Sequence, residues 1–218
     1  MSTLAERYAQ VKGGLKPGVE LVAVSKTRTV AEIQALYDLG HRAFGENYPQ
    51  ELAAKQPQLP ADIQWHFIGH LQTNKVKLIA PFVHLVHAVD STRLLDELEK
   101  RSGGRTMGVL LQAHIAQEET KHGLSEDELT ALMASWSPGR WAHVQLRGLM
   151  GMATNTDDRT LVRREFTGLQ QLFATFQQQR GDGPFDTLSM GMSGDADLAM
   201  AAGSTLVRIG TAIFGERG

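Results

Sequence analysis

The chain has 218 residues, with 22 basic and 24 acidic side chains, a formal charge of -2 and no cysteine. That balance leaves no basic footprint for nucleic acid or an anionic membrane. The missing thiols exclude disulfides, thiolate catalysis and every cysteine-based metal site. Apolar residues make up 42% and charged residues 21% of the sequence, the proportions of an ordinary globular protein. No apolar run approaches the length of a membrane span. Met1 to Lys16 lacks the apolar centre of a signal peptide, so a cytoplasmic location is expected.

From the N-terminus, a helical stretch at about 2–13 precedes the first strand candidate, 20–25. Further strands are expected at 42–45, 64–68, 83–88, 107–113, 143–149, 185–189 and 205–209. The helical stretches between them are 29–39, 47–55, 72–80, 91–102, 125–135, 159–179 and 194–202. Segments 91–102 and 159–179 show the clearest three- and four-residue apolar spacing. Thr29-x-x-Glu32 and Ser125-x-x-Glu128 are capping-box starts. Gly40, Gly103 and Gly203 stand where helices stop. Eight strands alternating with helices predict a single (β/α)8 TIM barrel over residues 1–218, with the N-terminal helix packing on it. An open doubly wound sheet is the second choice. After the last strand, Thr211 to Gly218 are too few for a full eighth helix, a gap the N-terminal helix can cover.

Lys26 carries the first chemical signal. It ends the apolar run Leu21-Val22-Ala23-Val24-Ser25 and precedes the helix start at Thr29. A lysine where a strand gives way to a helix lies at the end of an α/β fold that usually carries chemistry. Partial burial there frees an amine for Schiff-base formation. A solvated turn lysine is the plainer account from position alone. The second signal is C-terminal. Leu188-Ser189-Met190-Gly191-Met192-Ser193-Gly194-Asp195 and Val207-Arg208-Ile209-Gly210-Thr211 both run from a strand into small residues. Such turns offer backbone N–H groups to phosphate. Ser193 is the expected N-cap and Asp195 a first-turn acid. Gly210 admits a close approach, and Thr211 adds a hydroxyl. Arg208 interrupts an apolar strand and needs a partner, either an interior carboxylate or a ligand atom.

Other candidates have ordinary explanations. His66 and His70 have metal-helix spacing, but Gly69 intervenes, a strand precedes it, and no Glu follows His66. His84 and His87 fall on opposite faces of a strand. No metal site is therefore expected. Met150, Met152, Met190 and Met192 are core fillers by default. Asp157-Asp158 and Asp195-x-Asp197 stand at helix starts. Lys75 and Lys77 fit a solvated helix face, and 117–122, which includes Lys121, fits a solvated loop.

Several segments together resemble the pyridoxal phosphate homeostasis proteins, the YggS/PROSC family. They are Val24-Ser25-Lys26, Phe44-Gly45-Glu46-Asn47-Tyr48, Trp65 to Lys75, Gly148-Leu149-Met150, Leu188 to Ser193 and Val207 to Gly215. The resemblance runs in order along nearly the whole chain. It implies the fold-type III barrel similar to the N-terminal domain of alanine racemase, with pyridoxal 5'-phosphate (PLP) as cofactor. It assigns Lys26 to the Schiff base, Ser193, Gly210 and Thr211 to the phosphate with Met192 beside it, Arg208 to the pyridine nitrogen, and Asn47 to the ring and lysine. The family pattern has Asn where this chain has His114, which bears on the surroundings of Lys121.

Arginine at the pyridine nitrogen cannot accept a proton and leaves the ring a weak electron sink. Fold-type III racemases compensate with two bases, one from a second domain, which a chain of this length is not expected to supply. A monomeric carrier or buffer of PLP without efficient turnover is therefore expected, serving vitamin B6 and amino-acid homeostasis, with PLP-requiring apo-enzymes as candidate partners. A PLP-dependent racemase or lyase is the alternative. A phosphate-sugar binder with an aldolase-like lysine is the third reading.

Overall fold

The computed structural model describes residues 2–118, 122–136, 139–180 and 183–216. Lys121 lies outside the described residues. Eight parallel strands close into a barrel in sequence order. They are β1 (Glu20–Val24), β2 (Ala43–Glu46), β3 (Gln64–Phe67), β4 (Leu85–Val89), β5 (Met107–Ala113), β6 (Val144–Gly151), β7 (Thr187–Ser189) and β8 (Leu206–Ile209). The barrel is shut by β8 against β1, with Val22 opposite Arg208 and Ala23 opposite Ile209.

The helices are α1 (Leu4–Gly13), α2 (Val30–Asp38), α3 (Pro49–Lys55), α4 (Val76–Ile79), α5 (Thr92–Arg101), α6 (Glu126–Ala134), α7 (Arg159–Arg180), α8 (Ala196–Ala201) and α9 (Thr211–Phe214). Capping boxes start α2 at Thr29 and α6 at Ser125, and a third, at Thr3, starts α1. In each, a carboxylate from the first turn returns to the cap's backbone N–H. Gly40, Gly103 and Gly203 have φ of 90°, 62° and 100°, the left-handed conformation that ends a helix cheaply only at glycine. Tyr8 of α1 is buried against His41, and Arg7 donates to Ile213 O of α9 at 2.8 Å.

Strand periodicity sorts the core into two parts. Outward residues such as Ala23, Val207 and Ile209 pack under the helices with Phe166, Phe173 and Phe176 of α7. Inward residues Val22, Leu85, Leu110, Met150 and Leu206 form a smaller apolar group. Arg208 shares the inward parity of Leu206, as period two requires.

Candidate functional site

Strand β1 stops at Val24, yet the ladder runs one residue further: Ser25 N donates to Gly45 O at 2.9 Å. The chain then turns, with Arg28 N donating to Ser25 O at 3.0 Å. Thr27, next to Lys26, has a φ of 64°. A β-branched residue in that region is strained, and such strain persists only where its surroundings hold it. The holding group is a cluster around buried Lys55 and Glu46 that was not among the expected site residues. Lys55 Nζ donates to Ser25 O at 2.9 Å, to Glu46 Oε1 at 2.7 Å and to Glu51 Oε1 at 2.6 Å. Ser25 Oγ donates to Glu46 Oε1 at 2.6 Å, and Thr27 N donates to Glu51 Oε1 at 2.6 Å. Burial raises the Glu46 carboxyl, and hydrogen bonds from Lys55 and Ser25 pull it back. The turn bearing Lys26 is thus clamped from both sides. A four-residue spacing of Glu51 and Lys55 was the one trace of this in the sequence.

Half-buried Lys26 opens onto a cavity of about 170 Å³ lined by Val24, Lys26, Arg28, Met192, Arg208, Gly210 and Thr211. Five of the seven sequence candidates meet there: Lys26, Met192, Arg208, Gly210 and Thr211. Asn47 and Ser193 do not line it. Asn47 is half-buried, and its Oδ1 is a buried acceptor with no donor among the described residues. Ser193 is exposed and does not cap α8; Asp195 occupies the N-cap position. The reason is local. Asp195 Oδ1 accepts from Met192 N at 2.6 Å, closing a turn that pushes Ser193 outside the helix. Gly210 needs its missing Cβ for β1: a carbon there would meet Val24 O at 3.0 Å.

The cavity is built for an anion. Three lining side chains are cationic (Lys26, Arg28, Arg208) and none is acidic. The backbone N–H groups of Gly210, Thr211 and Ala212 have no acceptor among the described residues, so they remain available at the chain turn that opens α9. Arg28 was missed by the sequence reading. It donates to Gly215 O, lies 5.6 Å from the Phe214 ring centroid and pairs with Glu32 at 3.3 Å.

Among the described residues, no carboxylate holds Arg208. Its Nη1 donates to Ser189 O at 2.9 Å and Ser189 Oγ at 2.5 Å, and its Nη2 donates to Gly151 O at 3.2 Å. Burial pulls the guanidinium down to about 10, so it stays cationic at neutral pH. A chain of groups continues behind it: Ser189 Oγ lies 3.0 Å from His87 Nδ1, and His87 Nε2 lies 2.9 Å from His66 Nδ1. Arginine only donates. The arrangement with fewest orphans has Ser189 donating to His87 and His87 Nε2 donating to His66, which leaves a single unmatched N–H at buried His66 Nε2. Burial drives His66 down to about 3 and His87 in the same direction, so both rings are neutral.

These contacts correct one expectation. His84 and His87 both flank His66, with ring centroids 5.5 and 5.2 Å away, although the ladder bonds His84 N to Trp65 O and Gly108 N to His84 O carry the β4 pairing back to His84. Asp158 Oδ1 accepts from Thr160 N at 2.9 Å and Asp197 pairs with Arg159, so these acids are spent on helix starts. His114 Nε2 lies 3.0 Å from Glu118 O.

Comparison with known proteins adds relatives. The family described as "Alanine racemase, N-terminal domain" matches residues 1–218. A pyridoxal phosphate homeostasis protein of Pasteurella multocida is 40% identical over 232 residues, covering 99% of this chain and 98% of its own. The structure of PipY from Synechococcus elongatus superposes with a TM-score of 0.92 at 36% identity, covering 98% of this chain and 100% of that one; its PLP-bound form gives 0.89. Alanine racemase from Bartonella henselae shares the fold at 18% identity, with a TM-score of 0.72 over 98% of this chain and 60% of that one.

Proposed function

Because the chain belongs to the pyridoxal phosphate homeostasis proteins, within the alanine racemase N-terminal-domain barrels, we propose that it holds PLP at Lys26 as a carrier or buffer. The setting is intracellular vitamin B6 and amino-acid homeostasis. One observation carries this reading: Lys26, the guanidinium of Arg208 and the anion-binding turn at Gly210–Thr211 open into one cavity that has no lining acid. PLP supplies an aldehyde, an aromatic ring with a basic nitrogen, and a phosphate. Lys26 Nζ is the covalent anchor, the turn at Gly210–Thr211 with Arg28 nearby takes the phosphate, and Arg208 donates toward the ring nitrogen. Asn47 and Ser193 are outer contributors, with Asn47 Oδ1 a spare acceptor and Ser193 beside Met192.

The same lining argues for retention over turnover. Racemisation or elimination needs a base to take a proton and a group to return it. Apart from Lys26, the cavity lining holds two arginines, a threonine hydroxyl and a thioether, none a proton acceptor at neutral pH. The chain acts on this reading as one cytoplasmic barrel domain, a monomer that passes PLP to apo-enzymes. Borohydride reduction followed by peptide mass spectrometry tests the anchor. A reduced PLP adduct on Lys26, with no sustained racemisation or elimination of added amino acids, is the expected result. An adduct on another side chain removes the site, and turnover at ordinary enzyme rates removes the carrier role.

A further inference from the structure

On the arc of the barrel mouth away from Lys26, three side chains converge from three successive loops. His70 follows β3, Asp90 directly follows β4, and His122 lies beyond the end of β5. Each offers one ligand atom, and the three atoms lie within 4.8 Å of one another. We infer that His70, Asp90 and His122 form a binding site for a divalent transition-metal ion of the zinc class.

The donor set argues for that class. Two imidazoles and one carboxylate suit zinc, cobalt, nickel and copper, whereas magnesium and calcium take oxygen ligands. Zinc binds such atoms at about 2.0–2.2 Å, so tetrahedral neighbours stand roughly 3.4 Å apart. His70 Nδ1 and Asp90 Oδ2 are already 3.4 Å apart. His122 is the group that must move. Its ring stacks on that of His70, with centroids 4.2 Å apart and planes 16° apart. A metal lies in the plane of each ring that binds it, so the stack must open, and exposed His122 has solvent to turn into.

The backbone beneath His122 is tied down. Gln112 Nε2 donates to His122 O at 2.7 Å, and Leu124 bridges to Ala113 just beyond. Gly123 makes that closeness feasible: a Cβ there would lie 2.6 Å from His114 N. The remaining coordination position faces solvent and takes water, as in an open zinc site.

The test is calorimetric titration of the PLP-free full chain with zinc chloride alone in a non-chelating buffer. One equivalent should bind, with excess magnesium failing to compete. His70→Ala, Asp90→Asn and His122→Ala should each weaken binding about tenfold or more, at least the loss seen when only an outer partner of a ligand is removed. His70 and His122 are exposed and Asp90 is half-buried, and thermal melts will verify that the variants fold. Lys26→Ala should bind zinc as the parent does, which separates this site from the PLP reading. No binding at millimolar zinc, or binding that survives any one of the three ligand substitutions, overturns the site.

Discussion

Thr211 presents a hydroxyl and an uncommitted N–H to the cavity, beside a glycine whose own N–H is also uncommitted. Backbone donors survive substitution, so Thr211→Ala isolates the hydroxyl. A hydrogen bond to a charged group is worth about 1.5–3 kcal/mol, and PLP affinity measured by absorbance titration should fall by that amount. An unchanged dissociation constant would place the phosphate elsewhere. Arg208 shows what one donor-only side chain imposes. Since it cannot accept a proton, it orders the hydroxyl of Ser189 and the rings of His87 and His66 behind it. Period two along 206–209 was enough to aim Arg208 inward. The identity of its neighbours was not readable, because Ser189, His87 and His66 come from β7, β4 and β3.

At the scale of elements, β1, β2 and α3 meet in the cluster that clamps the Lys26 turn. Glu46 ends β2 and Lys55 ends α3, both buried. Lys55→Met keeps the apolar stem and deletes the ammonium. It strands a buried carboxylate and unties Ser25 O, a change that costs about 3–5 kcal/mol in comparable buried pairs. Urea unfolding should show that loss, with reduced trapping of PLP at Lys26 as the turn relaxes; a variant as stable as the parent would mean that Glu46 is neutral and needs no partner. Element positions were largely legible, since apolar spacing and capping boxes act within a few residues. The departure is local too: the helix expected at 72–80 divides into a 3-10 turn at 73–75 and the short α4. The four-residue α9 is no full eighth helix, and α1 packs on it, as expected.

For the whole molecule, the buried histidines set an acid limit. His41, held by Ala43 O at 2.8 Å, is driven down to about 4 by burial, and His66 to about 3. Both fall below the ordinary unfolded value of about 6.5. Between those limits the unfolded chain binds protons that the native barrel refuses. Their contribution is therefore fully present above pH ~6.5 and is lost as pH falls, by about 1.4 kcal/mol per pH unit for each group. Urea midpoints from neutral pH down to about 4.5 should drop accordingly. A flat profile would mean that these rings accept protons without unfolding. The effect belongs to the assembled molecule: barrel closure buries His66, and the packing of α1 through Tyr8 buries His41.

By itself the sequence determined the alternation of strands and helices, the barrel, and the placing of Lys26, Arg208 and the Gly210–Thr211 turn. Those features follow from local periodicity, local capping and the rule that loops at the strand ends carry the chemistry. Only the closed sheet decided which side chains share a space. It put Arg28 in the cavity and left Ser193 and Asn47 out of its lining. It joined Lys55 to Glu46, and it paired His70 with Asp90 and His122 instead of His66. Each of these depends on residues distant in the chain whose meeting is fixed by strand register and barrel closure, and no short-range pattern encodes that.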